Sequence, residues 1–180
     1  MLNLTIPKAE FYNEKTGEFI AIEEQTLQLE HSLLSISKWE SKWCKPFLDV
    51  NDKSYEETID YIKCMTMNKA VAPITYQYLT TNQIEQIKEY INAPMTATTF
   101  SDKQTSKPSR EIITSELIYY WMISNQVPLE CQKWHLNRLL TLLRVCEIKN
   151  SPQKKMSRNE IMAQNKALNA ARRAKSGSKG

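Results

Sequence analysis

The spacing of apolar residues changes at Ser32, and that change divides the chain into a strand-forming start and a helical remainder. Ahead of it, LNLTI, AEFYN, EFIAI and TLQLE are short, β-branched or aromatic runs that roughly alternate. NEKTGE, between the second and third, contains Gly17 and reads as a hairpin turn. Residues 1–31 are therefore expected to form a small antiparallel sheet, or a hairpin with an extra strand.

From Ser32 the period is helical. Leu33, Ile36, Trp39 and Trp43 follow it as far as Pro46. Ser54 and Glu57 have capping-box spacing and open a helix with Tyr55, Ile59 and Ile62 on one face. Pro73 starts the short segment ITYQYL. Asn82 with Glu85 is expected to cap a helix carrying Ile84, Ile87 and Ile91 and ending near Pro94. Pro94–Ser109 has no period and reads as a loop. Two stronger helices are expected at Glu111–Asn125 and Glu130–Lys149, and their short connection around Pro128 suggests antiparallel neighbours. After NSPQKK, Ser157 with Glu160 is expected to cap a last helix, Arg158–Lys175.

The fold class expected is α+β: a small N-terminal antiparallel β-sheet, a mainly α-helical body over 32–150 in one domain with it, and a protruding basic C-terminal helix in 151–180. The 41% hydrophobic content is enough for one core. With only three Gly, two of them in the last four residues, no glycine-rich phosphate cradle can be built. The start, MLNLTIPKAEF, does not look like a secretory signal, and the longest apolar run, Leu117–Ile123, is too short to span a bilayer. The four Cys have no CxxC pairing, so reduced thiols in a cytosol are expected.

ECQKWHLNRLLTLLRVC, Glu130–Cys146, gathers the chemistry-bearing side chains. Wound as one α-helix, it places Cys131, His135, Arg138, Leu142 and Cys146 within about 80° of arc, with Trp134 beside them. Lys133, Asn137, Thr141 and Arg144 fall on the polar side. Cys131 and His135, at i and i+4, could hold a metal, but zinc wants four ligands and His31, Cys44, Cys64 and Cys146 are scattered singly. A Cys–His nucleophilic pair lacks an orienting group and oxyanion donors. The set is therefore read as buried core, with no metal and no cofactor. Arg138, buried among it, then needs a carboxylate, for which Glu116 or Glu30 is the expected partner. Trp39 and Trp43 could stack bases, but they read better as an apolar anchor onto the C-terminal helices. The loop Thr96–Ser106 offers hydroxyls and Asp102 without a histidine, and no paired-carboxylate or HExxH pattern occurs. No catalytic residue is assigned, and the chain is expected not to be an enzyme.

Charge is distributed unevenly. Residues 151–180 hold eight Lys/Arg against Glu160, a net of +7, so the total of +4 leaves −3 for residues 1–150. The last helix has a thin apolar stripe, with Ile161 and Leu168 seven apart and Met162 beside them. Such a stripe docks weakly on its own body. The segment is a solvated tail, a non-specific nucleic-acid contact without aromatics for stacking, or a helix that binds another protein through Ile161, Met162, Leu168, Arg172 and Arg173.

LEHSLLSISKWESKWCKPF, YIKCMT, SELIYYWMISNQVPLECQKWHLNRLLTLLRVCEIKN and KKMSRNEIMAQNKALNAARRAKSGSKG, in that order, resemble the tail assembly chaperones of long-tailed bacteriophages. The resemblance runs from about Leu27 to the C-terminus, with SKWESKW and LECQKWHLNRLLTL its most specific pieces. It implies a non-enzymatic protein of the host cytoplasm, absent from the finished virion. Such a protein coats the aggregation-prone tape measure protein and gathers tail-tube subunits around it, and a programmed frameshift often yields a longer form. It transfers no ligand residue, only the role of partner contact onto Ser157–Lys175. Tape measure and tail-tube proteins are the expected partners, with self-association a further option and no membrane involved. The alternatives are a structural head–tail or baseplate component retained in the particle, or a nucleic-acid-binding accessory protein acting through the basic tail.

Overall fold

The computed structural model describes residues 1–13, 17–49, 52–100, 111–150 and 158–176. The fold is α+β, a small antiparallel β portion at the N-terminus followed by a mostly helical body. It divides into two compact units, Met1–Glu147 and Ile148–Gly180.

The four strands lie where alternation places them: β1 Leu2–Ile6, β2 Ala9–Asn13, β3 Glu18–Ile22 and β4 Gln25–Leu29. β1 pairs with β4 and β2 with β3, both antiparallel. Leu2 faces Leu29 and Ala9 faces Ile22, so residue i faces 31 − i in both ladders. The two ladders are thus one long hairpin, interrupted where Pro7 has no N–H to donate. An ion pair of Lys8 with Glu23, 3.3 Å, spans the interruption. Gly17, at φ +70°, supplies the left-handed residue that turns the chain toward β3; the tip residues 14–16 lie outside the described residues. The root ladder buries Leu4, Ile6, Leu27 and Leu29 and exposes Thr5, Thr26 and Gln28. The outer ladder instead turns Tyr12 and Phe19 to solvent.

Helix α1, Leu33–Trp43, begins at a Ser32 cap whose partner is Ser35, and ends at Cys44 in the left-handed region. α2, Tyr55–Met65, has the expected Ser54–Glu57 capping box. Ile59 and Ile62 are buried, but Tyr55, expected on the same face, is exposed. α3, Thr81–Asn92, is capped two residues before the expected site, by Thr80 with Gln83 in place of Asn82 with Glu85. The 3-10 turn Pro73–Tyr78 runs to the buried Leu79, leaving Thr80 extended and in the capping position. α4 is Ser115–Ser124, beginning four residues later than expected behind a Thr114 cap.

The largest departure from expectation is at Glu130–Lys149, which is not one helix. Leu129–Lys133 is a 3-10 turn, Trp134 is extended, and α5 is Leu136–Asn150. The backbone at the break bonds elsewhere: His135 bridges to Ser32, and the Leu136 N–H donates to the His31 carbonyl at 2.7 Å. These bonds to the start of α1 replace the intrahelical ones, and the helix restarts after them.

α1 is the axis of the core, with α2, α4 and the Leu129–Lys133 turn against it and α3 on β1. Trp39 is fully buried and donates its indole N–H to the Glu57 carbonyl at 2.9 Å. Half-buried Trp43 donates to Asp60 at 2.9 Å. Both indoles therefore tie α1 to α2, a link that their expected role as an anchor onto the C-terminal helices did not include. In the second unit, α6 covers Arg158–Ser176, and its expected cap Ser157 lies outside the described residues. Residues 101–109 of the loop after Pro94 likewise lie outside the described residues.

Candidate functional site

The buried cysteine and histidine of the second half do not share a helical face. Cys131 is buried on the 3-10 turn, His135 is buried at the break, and Cys146 and Leu142 are half-buried along α5. Among the described residues, no three His, Cys, Asp or Glu side chains are grouped to hold a metal ion. Cys44 is exposed and Cys64 half-buried, and burial pushes the Cys64 thiol upward, away from the reactive thiolate.

Both histidines of the chain meet in the core, a pairing that 103 intervening positions conceal. Their rings stand edge-to-face with centroids 5.1 Å apart, and Tyr61, Tyr90 and Phe47 pack around them. His135 Nδ1 accepts the Asn137 backbone N–H at 3.3 Å, and its Nε2 lies 3.0 Å from the Tyr90 carbonyl oxygen. An amide N–H only donates and a carbonyl only accepts, so the ring is neutral with its proton on Nε2. It thereby acts as the N-cap side chain of α5. His31 Nδ1 sits 2.5 Å from the Tyr61 hydroxyl, which also lies 3.4 Å from Ser35 Oγ. Burial, and then the neighbouring His135, pulls the His31 imidazole down to about 3. Burial lowers His135 too, against opposing pulls from the Tyr90 carbonyl and Glu30. Both rings are structural: neutral, enclosed and bonded to groups of the fold itself.

Arg138 is not in that core. It is exposed, and its guanidinium lies 4.2 Å from the centre of the half-buried Trp134 ring, a cation–π contact. Among the described residues neither expected carboxylate pairs with it. Glu30 accepts from the Tyr90 hydroxyl at 2.6 Å and stands 3.1 Å from the Met1 amino group, while Glu116 accepts from Ser115 Oγ. Restarting the helix at Leu136 puts Leu136, Leu139 and Leu143 inward and swings Arg138 out. The same shift turns Asn137, expected to be polar and exposed, inward to donate to the Ile91 and Ala93 carbonyls at 3.1 and 2.8 Å.

Glu40 was not singled out by sequence. Its carboxylate is buried and accepts the Phe47 N–H at 2.7 Å and the Ser115 N–H at 2.8 Å, tying α1 to the first turn of α4. Nothing local to SKWESKW marks this glutamate for that role.

The surfaces available for a partner are elsewhere. On α6, Ile161, Leu168 and Arg172 lie along one stripe and Met162 and Arg173 beside it, all exposed. Ile161 is 45% exposed, Met162 62% and Leu168 48%. The helix carries Arg158, Lys166, Arg172, Arg173 and Lys175 against Glu160. Among the described residues no helix is long and apolar enough to cross a membrane. No protein-family model, curated protein or solved structure matches the chain.

Proposed function

We propose that this chain is a non-enzymatic tail assembly chaperone of a long-tailed bacteriophage. It holds the tape measure protein in a soluble state through α6 and gathers tail-tube subunits around it. It works in the host cytoplasm and leaves before the virion is complete. The observation that carries this reading is α6: a cationic helix with three large apolar side chains at its surface, on a body whose imidazoles are consumed by structural bonds. An apolar stripe edged by cations fits an amphipathic, partly acidic helix. The resemblance in SKWESKW, LECQKWHLNRLLTL and the basic tail supports the choice of partner.

Co-expression with the tape measure protein is expected to raise the latter's soluble yield. Ile161→Asp with Leu168→Asp should abolish that gain while the circular dichroism of the body stays unchanged. An unaltered yield with the native chain, or full activity in the double variant, overturns the reading. Mass spectrometry of purified virions should lack the chain; a stoichiometric amount would make it a structural component. A steep salt-dependent DNA shift lost in Arg172→Ala with Arg173→Ala would make it a nucleic-acid binder.

A further inference from the structure

Acidic charge stands in two stretches of the body, Asp49–Asp60 at a net of −4, whose Asp60 and Glu57 pair with Lys42 and Lys45, and the N-terminal hairpin. Between Lys8 and Glu24 stand five Glu against Lys8 and Lys15, a net of −3. That equals the whole net charge of residues 1–150, so residues 25–150 are neutral in balance. The outer hairpin is thus a net anionic surface, and the C-terminal thirty residues, at +7, are the cationic extreme of the chain.

The hairpin also carries an apolar pair. Tyr12 and Phe19 face each other across β2 and β3, ring centroids 5.2 Å apart, and are 57% and 75% exposed. Glu10, two residues along β2, shares their face. Cross-strand aromatic pairs ordinarily gain their stabilisation by excluding water, and this one stands in it. The stripe of α6 presents the complement: Ile161 and Leu168, about 10 Å apart along the axis, with Arg172 one turn further.

A second α6 is a poor partner for this stripe. In heptad terms Ile161 and Leu168 repeat at one seam position and Arg158, Asn165 and Arg172 at the other. A parallel pair would set Arg158 against Arg158 and Arg172 against Arg172. The hairpin offers the opposite charge and an apolar platform.

We propose that α6 of one chain seats on the outer hairpin of a second copy, Ile161 and Leu168 against Tyr12 and Phe19, with the arginines toward the hairpin carboxylates. This goes beyond the chaperone reading and does not depend on it, since no third protein enters the contact. The joint is heterologous: it closes if two chains exchange helices and extends if they do not.

Light scattering after gel filtration tests it on the full chain. At low salt the mass should rise with concentration above the 21.0 kDa of one chain and return to it at high salt. Arg172→Glu with Arg173→Glu should abolish association, as should Glu10→Lys with Glu23→Lys in a separate chain. Mixing the two variants should restore it, because each then meets a copy of opposite charge. All four positions are exposed, and unchanged circular dichroism confirms that both variants fold. A native chain that stays at one-chain mass at every concentration overturns the proposal, and this includes α6 docking on its own hairpin. Association indifferent to both reversals, or a mixture that stays dissociated, does so as well.

Discussion

Urea denaturation of this chain repeated from pH 7 down to pH 4.5 should show its stability falling steadily, beginning well above the range in which carboxylates titrate. The cause is the His31–His135 pair. The unfolded chain binds a proton on each imidazole near the ordinary 6.5, whereas folded His31 holds out to about 3 and His135 is also lowered. Below 6.5 the unfolded state therefore binds more protons than the native state, and stability is lost as pH falls. It is fully present above 6.5. Each unit of separation is about 1.4 kcal/mol, so His31 alone contributes a loss on the order of 4 kcal/mol by pH 3. His135 adds to it with the same sign. The geometry gives the reason: a proton on His135 Nδ1 would confront the Asn137 N–H, donor against donor, and uncap α5. Tyr61, Tyr90 and Glu30 surround the pair, and burial raises both phenols, so neither supplies a counter-charge. His135→Asn keeps a side-chain acceptor at the cap but cannot titrate; its curve should be the flatter one. A native curve with no slope between pH 6.5 and 4.5 would refute the assignment. At lower pH the paired carboxylates join in. Lys45 and the Ser54 amide hold Glu57 below its usual range, and Asp60, although burial pushes it up, is held down by Lys42 and Trp43.

The second large effect is expected from Glu40→Ala. Hydrogen bonds to a charged group contribute about 1.5–3 kcal/mol each, and this carboxylate accepts two from buried backbone amides. Their loss would leave the Phe47 and Ser115 N–H groups without a partner, one of them at the N-terminus of α4 where negative charge is favoured. The variant should lose about 3–5 kcal/mol of unfolding free energy at neutral pH. Glu40→Gln, which keeps one acceptor but sets an NH2 beside the second amide, should fall between it and the native chain. An alanine variant within about 1 kcal/mol of native would mean that water replaces the carboxylate.

Features encoded by neighbouring residues were legible in the sequence. Alternation located all four strands to within a residue, Ser54 and Glu57 announced α2, and the basic terminal helix follows its pattern of strong formers. What failed was set by distant groups. The break before α5 exists because His135 and Leu136 bond to Ser32 and His31, and nothing within Glu130–Cys146 records those partners. Once the break is missed, the helical wheel misplaces Arg138 and Asn137 together, because both depend on the same phase. The core assignment of Trp39, Cys131 and His135 was correct, since bulk and polarity decide it without geometry. Glu40 and the histidine contact were out of reach for the same reason as the break: each joins elements that meet only in the folded chain.

Pro7 has a kinetic corollary. The ladder on its inner side shares the core, whereas the one beyond it is a two-stranded ribbon, a structure of marginal persistence by itself. Amide protons of the root ladder should therefore exchange with solvent deuterons only through global opening, while those past the proline exchange through local fraying. The hairpin is thus expected to open in two stages, the β2–β3 ladder ahead of the β1–β4 ladder.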